Sequence, residues 1–208
     1  LGSNASVRLM SGPRANVLAG LLSLGSLSML GCGSPIPNRD PVGERFPEVQ
    51  GRDLEERDRT LPREHQGAPV LYLVGTVQET QFDIDRWLIG LLQLETPIRF
   101  VEVPTIPGLF PDLFLRGTID AGMREGIPSE DWGGVVTLYA DDAERVVAFT
   151  GTTIPRNARV LLLDEGGRVR WFHDRGFSPG VLLELDAAVR AVKAAPEPAG
   201  EPAPEKSQ

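Results

Sequence analysis

The sequence predicts an α/β domain in which helices cover both faces of a mixed β-sheet. Two observations predict it. A strand, a helix and a second strand follow one another in the first half of the chain, and a glycine-turn hairpin followed by an amphipathic helix closes the second half. A β-α-β succession makes its strands parallel, whereas a hairpin adds an antiparallel strand. With 208 residues, 41% of them hydrophobic, the chain has room for one such domain and its tails.

The β-α-β unit begins with residues 70–74, Val-Leu-Tyr-Leu-Val, an unbroken apolar run typical of a strand buried on both faces. Residues 82–94 follow with apolar side chains at helical spacing. Residues 98–103 then predict the second strand, which we expect Pro104 and Pro107 to end.

The middle of the chain is less regular. Residues 109–115 and 117–124 suggest two short helices, residues 135–139 a third strand, and residues 141–149 a further short helix.

The end of the domain has a clearer pattern. Residues 159–164 and 168–173 predict two antiparallel strands joined by a tight Glu-Gly-Gly turn. Ser178 and Pro179 are typical of a helix start, so residues 181–192 are predicted to form an amphipathic helix that covers the sheet.

Three stretches resemble the redoxin, or peroxiredoxin-like, branch of the thioredoxin superfamily. Val-Gly-Glu-Arg-Phe-Pro at 42–47 resembles the opening of these proteins, residues 67–71 resemble their first core strand, and residues 161–171 resemble their strand–turn–strand segment. The predicted order of elements is also the thioredoxin core order. The resemblance implies a thioredoxin-like three-layer α/β/α fold with a central mixed sheet over residues 42–193.

A narrower resemblance involves residues 136–141 and the Arg-Trp pair at 170–171. These are similar to the mitochondrial ATP synthase assembly factor that has this fold. That resemblance implies a role in assembling a membrane complex.

The chain departs from the redox-active members at the residues that carry their chemistry. Those members place a cysteine in the turn after the first core strand, where a helix N-terminus stabilises the thiolate. Here that turn, residues 75–81, has no cysteine, and the cis-proline position of the family falls near Ala158. We therefore expect a redox-inactive domain that is not an enzyme. The candidate binding surface is the former active-site turn with the facing loop: Thr76, Gln78, Gln81, Pro155 and Asn157.

The first part of the chain is typical of a targeting segment. From Met10, which competes with Leu1 as the true start, Arg14 supplies a positive charge. Residues 17–30 then form an apolar stretch that is short for a membrane span but fits the hydrophobic region of a signal peptide.

Ser-Met-Leu-Gly-Cys at 28–32 resembles the lipobox of bacterial lipoproteins, although Leu30 stands where a smaller residue is usual. The resemblance implies a signal peptide over residues 1–31 and lipidation of Cys32, the single cysteine. Two alternatives remain: a conventional signal peptide with an incidental cysteine, or a cytosolic chain with an apolar N-terminus.

Two segments are predicted to be tethers or tails. Residues 32–41 are polar and Pro-rich, as in a spacer that keeps a domain clear of a bilayer. Residues 194–208, rich in Pro, Ala and Glu, are predicted to be disordered. Gly33 after the cysteine favours the outer membrane over the inner one, if the organism sorts lipoproteins as enterobacteria do.

Charge and composition exclude several kinds of partner. The formal charge of −8 with no basic face argues against nucleic acid. Two histidines, His65 and His173, and one cysteine are too few for a structural zinc site, so we expect no metal and no cofactor. Asp83 and Asp85 are expected to be surface groups at the positive end of a helix dipole, and the pair His173-Asp174 is expected to be solvated.

The leading hypothesis is a lipoprotein at the periplasmic face of the cell envelope, whose domain binds or helps to assemble another envelope or membrane protein. The first alternative is a thiol-dependent, peroxidase-like enzyme in which an unmodified Cys32 reaches the domain from the tether. The second is a binder of small ligands that uses the turn without cysteines.

Overall fold

The computed structural model describes residues 36–108 and 113–194. The predicted signal peptide, Cys32 and the tail after residue 194 lie outside the described residues. The strands are β1 (Val49–Asp53), β2 (Asp58–Leu61), β3 (Val70–Gly75), β4 (Arg99–Ile106), β5 (Val136–Tyr139), β6 (Arg159–Leu163) and β7 (Val169–His173). The helices are α1 (Gln81–Gln93), α2 (Leu113–Gly126), α3 (Ala140–Thr150) and α4 (Pro179–Ala194).

The strands form one mixed sheet with the order β2-β1-β5-β4-β3-β6-β7. Strand β4 is parallel to both β3 and β5, as a β-α-β unit requires. Strands β6 and β7 form the predicted hairpin, and β6 pairs antiparallel with β3. The predicted mixed sheet is therefore confirmed.

Helices cover both faces of this sheet because the side chains of β3 alternate between two hydrophobic clusters. Val70, Tyr72 and Val74 join a cluster with residues of α3. Leu71 and Leu73 point to the other face, into a cluster built with α1 and α4. Every residue of β3 is buried, so the strand has no polar face to present to water. The three-layer α/β/α architecture follows.

An N-terminal hairpin of β1 and β2 was not predicted. Its strands are short and largely polar, Val-Gln-Gly-Arg-Asp and Asp-Arg-Thr-Leu, so they carry little hydrophobic pattern. A close approach to β5 explains the glycine in β1: a Cβ at Gly51 would lie 2.7 Å from side-chain carbons of Val136 and Leu138. A larger residue would push β1 away from the sheet.

Strand β4 continues through Pro104 to Ile106, so the predicted end at Pro104 was wrong. Pro104 lies opposite Gly75, the last residue of β3, where the ladder between the two strands ends. The Gly75 carbonyl accepts a bond from the Thr105 hydroxyl at 2.9 Å. A proline is tolerated where pairing with the neighbouring strand is ending.

The two short helices predicted in the middle of the chain are replaced by the single helix α2. Residues 109–112, part of the first predicted helix, lie outside the described residues. Gly117, the first residue of the second predicted helix, lies inside α2, and a Cβ there would meet no atom within 4 Å. A helix tolerates an interior glycine at a cost of about 1 kcal/mol.

No helix among the described residues combines the length and the hydropathy needed to cross a bilayer.

One of the two histidines, His65, is buried against Tyr72 of the interior strand β3. Nδ1 of His65 lies 2.8 Å from the Tyr72 hydroxyl, and the two rings pack edge to face. Burial lowers the pKa of His65 from 6.5 to about 4, with Arg99 and Arg59 acting in the same direction and Glu64 opposing them. The ring is therefore neutral in the folded protein at neutral pH.

This histidine should make folding sensitive to mild acid. The unfolded chain takes up a proton near pH 6.5, whereas the folded chain takes it up only near pH 4. The free energy of unfolding therefore keeps its full value with respect to His65 above pH 6.5. It decreases as the pH falls toward 4, by at most about 3 kcal/mol. Urea unfolding of wild type and His65→Asn across this range should show a smaller pH slope in the variant. Equal pH slopes in wild type and His65→Asn would show that His65 does not cause the pH dependence of stability.

Candidate functional site

The candidate binding residues lie where the carboxyl end of β3 meets the loop before β6. We call this region, made of residues 75–81 and 151–158, the β3–β6 edge. A short 3-10 turn, Gln78–Thr80, leads from β3 into α1. The turn and the loop come from distant parts of the chain, and β3 and β6 bring them together because they pair in the sheet.

Thr80 joins the two segments of the edge. Its buried hydroxyl accepts the N–H groups of Thr76 and Val77, at 3.4 and 3.3 Å, and donates to the Pro155 carbonyl at 2.9 Å. The Thr76 hydroxyl donates to the same carbonyl at 3.2 Å. These bonds hold the turn against the loop without any thiol or disulfide.

The five predicted binding residues do not converge on one cavity. Thr76 and Pro155 are in direct contact, and Gln78 is exposed two residues after Thr76 in the turn. Asn157 faces the other way, and its amide donates to the Asp174 carbonyl at 3.0 Å. Gln81 lies toward β4 instead. The structure thus brings two of the five together and spreads the others along the edge.

The amide of Gln81 bridges two carboxylates. It donates to Asp85 Oδ1 at 2.9 Å and to Glu102 Oε2 at 3.0 Å. Burial raises the pKa of Glu102, the bond from Gln81 lowers it, and the negative charges of Asp85 and Asp131 raise it further. The contact between Gln81 and Glu102 was not predicted, because Glu102 is one polar residue in a strand whose apolar and polar residues alternate.

Asp83 is buried, which corrects the expectation of a surface group. Its Oδ2 accepts the Ala158 N–H at 2.9 Å, and its Oδ1 accepts the Phe177 N–H at 2.8 Å. Ala158 occupies the place that the resemblance assigns to a cis-proline. A proline has no N–H and could not make this bond. By contrast, Asp85 is exposed as expected.

Arg159 is another buried group that sequence reasoning missed. Its guanidinium donates to the carbonyls of Gly151, Ile154 and Asn157, and so holds the loop in place. Burial lowers the pKa of Arg159, and the negative charge of Asp174 opposes this. An arginine as the first residue of a strand that is otherwise Val-Leu-Leu-Leu was the available signal.

His173 is half-buried, which corrects the expectation of a solvated pair with Asp174. Its ring stacks on Trp171 with 5.9 Å between centroids, and Trp87 packs edge-on against it. Nε2 lies 2.9 Å from the Gly176 carbonyl. The His173 ring is therefore packed within an aromatic cluster with Trp87 and Trp171.

The second half of the predicted tether packs against this edge. Two hydrogen bonds join Ile36 to Thr152. The Ile36 N–H donates to the Thr152 hydroxyl at 3.1 Å, and the Thr152 N–H donates to the Ile36 carbonyl at 2.8 Å. The Thr153 N–H donates to the Asn38 side chain at 2.7 Å, and the Asn38 amide donates to Asp174. Residues 36–38 therefore belong to the folded structure.

A shallow open groove of about 450 Å³ runs beside Asn157 at this edge. Its lining mixes charge with one large aromatic side chain: Glu79, Phe82, Asp83, Arg86, Arg156 and Asn157. Among residues 36–108 and 113–194, no three His, Cys, Asp or Glu side chains are arranged to hold a metal ion.

Known structures resemble this architecture at low sequence identity. A candidate protein disulfide isomerase from Bacteroides thetaiotaomicron matches with a TM-score of 0.52 and 10% identity, over 76% of this chain and 95% of its own. An uncharacterised conserved protein from Geobacillus kaustophilus matches with a TM-score of 0.51 and 13% identity, over 81% and 92%. The fold is thioredoxin-like. No family model and no curated protein matches the sequence.

Within this thioredoxin-like fold, the turn after the first core strand has Thr80 at its base and no cysteine. The loop that faces the turn is fixed by Asp83 and Arg159 rather than by a proline. Hydrogen bonds between side chains and backbone groups join the turn and the loop along this edge. The arrangement can present a fixed surface, and it contains no thiol of its own.

Asp83 should contribute more to stability than its neighbour Asp85. In Asp83→Asn, one of the two backbone N–H groups would face an amide N–H₂ instead of an oxygen. We expect a loss of about 1–3 kcal/mol in the free energy of unfolding. Asp85→Asn keeps an acceptor for Gln81 at an exposed site and should change it by less than about 0.5 kcal/mol. If chemical denaturation showed equal losses of stability in Asp83→Asn and Asp85→Asn, the bonds from Ala158 and Phe177 to Asp83 would not contribute to stability.

Proposed function

We propose that this chain is a lipid-anchored binding module, in which a thioredoxin-like domain without redox chemistry engages an envelope or membrane protein. One observation carries the proposal. The edge where redox-active relatives hold a thiolate is here a closed network around Thr80 and Asp83, and the domain from residue 36 onward contains no cysteine.

The absence of a thiol matters because disulfide exchange and peroxide reduction both need a thiolate nucleophile. A threonine hydroxyl does not replace it, since it is not ionised at neutral pH. The Thr80 hydroxyl is also engaged with Pro155, Thr76 and Val77. The domain is left with a rigid, polar surface, which suits recognition.

The anchor supports the same function. The lipobox-like residues 28–32 place Cys32 directly before a short polar segment that leads into the domain. Two or more acyl chains hold a protein stably on a membrane. An anchored module that has no reaction of its own acts by holding or presenting another protein there.

A second candidate function is supported by the docked tether. Only three residues separate Cys32 from Ile36, which is hydrogen-bonded to the loop of the β3–β6 edge. An unmodified Cys32 would therefore remain within about 14 Å of Ile36, because an extended residue spans about 3.5 Å. In that case the cysteine could act as a tethered thiol, as in a one-cysteine peroxidase.

The state of Cys32 separates the two functions. We expect intact mass spectrometry and membrane fractionation to show acylated, membrane-bound wild type and unprocessed Cys32→Ser. Ser34→Ala is a matched control two residues away and should behave as wild type. We also expect neither wild type nor Cys32→Ser to reduce insulin disulfides or hydroperoxides. A soluble wild type with a free thiol, or activity lost only in Cys32→Ser, would favour the enzyme.

Partner binding needs its own test. A photoreactive amino acid at the exposed position Gln78, in cells that express the anchored chain, should form an adduct with one membrane or envelope protein. The same probe at Arg170, an exposed residue near the β6–β7 turn at the other end of the sheet, should not form it. Adducts of equal yield from both positions would contradict a binding role for the edge.

A further inference from the structure

We infer that a surface beside the β3–β6 edge, which includes part of its loop, is the membrane-facing surface of the domain, and that its occupant is the anionic bilayer that holds the anchor. This membrane-facing patch consists of Phe82, Arg86, Ile154, Arg156 and Arg175. The inference deepens the proposed function and rests on lipidation of Cys32.

Chain length limits how the domain can turn on its anchor. The described structure begins at Ile36, only four residues after Cys32. Four extended residues span at most about 14 Å. If Cys32 carries the lipid, Ile36 stays within that distance of the bilayer interface. The part of the domain nearest to Ile36 must therefore lie at the membrane surface.

The nearest part of the domain is the loop of the patch. The Thr153 hydroxyl donates to the Ile36 carbonyl at 3.3 Å and accepts the Asn38 N–H at 3.2 Å, in addition to the bonds made by Thr152. Gly151 permits this approach. Its φ is +79°, and a Cβ there would lie 2.4 Å from the Pro37 carbonyl oxygen. Ile36 is therefore held against the loop directly before Ile154 in sequence.

The patch has the composition of a surface that meets lipid. Phe82 is 70% exposed and Ile154 is 49% exposed, although both are large and apolar. Phe82 lines the groove together with Arg156, and Ile154 is exposed two residues before Arg156 in the same loop. Apolar side chains of this kind enter the boundary between headgroups and acyl chains.

Three arginines complete the patch. Arg86 and Arg156 line the groove together with Phe82, and Arg175 is exposed in the loop that accepts the Asn157 amide. Within the described residues, none of the three forms an ion pair. Glu79 is the one exposed carboxylate in the groove lining.

The other carboxylates nearby are engaged in hydrogen bonds: Asp83 accepts two backbone N–H groups, Asp174 accepts the Asn38 amide and Asp85 accepts the Gln81 amide. The exposed charge of the patch is therefore mainly positive, in a chain of net charge −8, and suits an anionic lipid surface.

The opposite end of α1 provides a matched reference position. Gln93 is exposed and ends the helix that Phe82 helps to begin. A helix of this length spans about 18 Å, which exceeds the 5–10 Å to which interfacial side chains penetrate a bilayer. A probe at position 93 should therefore remain in water while a probe at position 154 approaches the lipid.

Depth-dependent quenching tests the inference on the full lipidated chain. Ile154→Cys and Gln93→Cys each add one free thiol, because acylation consumes the thiol of Cys32. Each variant is labelled with an environment-sensitive fluorophore and placed in phosphatidylglycerol-containing vesicles that carry a nitroxide lipid and no other protein. We expect quenching at position 154 to exceed that at position 93 by about threefold or more.

Charge and tether variants show what sets the orientation. Arg86→Glu with Arg156→Glu should bring the quenching ratio close to one, as should high salt, because screening weakens attraction to anionic lipid. Arg170→Glu, an exposed charge away from the patch, should leave the ratio unchanged. Thr152→Val with Thr153→Val should lower the ratio by releasing the tether. This pair avoids the risk that a substitution at Gly151 unfolds the domain.

The outcomes separate this inference from the proposed function. A chain that fails to bind vesicles and reacts through two thiols in Ile154→Cys is not lipidated, and the proposed anchor fails. A lipidated chain with equal quenching at both positions keeps its anchor and overturns the membrane-facing patch. Strong quenching at 154 that survives the arginine reversals would also overturn it, because the anchor alone would then explain the contact.

Discussion

The β3–β6 edge depends on a single buried carboxylate. Asp83 lies in the first turn of α1, yet its two oxygens bind the backbone of two other segments, at Ala158 and at Phe177. It therefore fixes the helix start, the entry to β6 and the loop before α4 relative to one another. A carboxylate that accepts two backbone N–H groups makes bonds stronger than those between neutral groups. The two N–H donors compensate for the cost of burying the Asp83 carboxylate.

Two other polar groups complete the network from the opposite side. Arg159 binds three carbonyls of the loop, and Thr80 binds a fourth, that of Pro155. The loop has few apolar side chains with which to hold its shape, so these bonds replace packing. The cost is a buried guanidinium whose pKa is lowered by burial. Rigidity at this edge thus comes from hydrogen bonding.

The same network would link the proposed anchor to the proposed membrane-facing patch. The loop that Arg159 holds is the loop on which the tether docks through Thr152 and Thr153. If Cys32 carries a lipid, as proposed, a rigid loop would fix the orientation of the domain at the membrane, whereas a mobile one would let the domain rotate. The proposed membrane-facing patch and the proposed partner-binding residues then share one edge but differ in side: Phe82 and Arg156 lie in the groove, while Gln81 turns toward Glu102.

The sequence alone determined the mixed α/β architecture, because β3, α1, β6, β7 and α4 carry strong hydrophobic periodicity and a glycine turn. It also located the turn and loop of the candidate edge, through the resemblance and the missing cysteine. It did not reveal the β1–β2 hairpin or the course of β4 past Pro104, since short polar strands and an interior proline give no local signal. Nor could it show that Asp83 is buried or that residues 36–38 dock on the loop. Those contacts join residues 75 to 117 positions apart, and only the pairing of distant strands brings them within hydrogen-bonding distance.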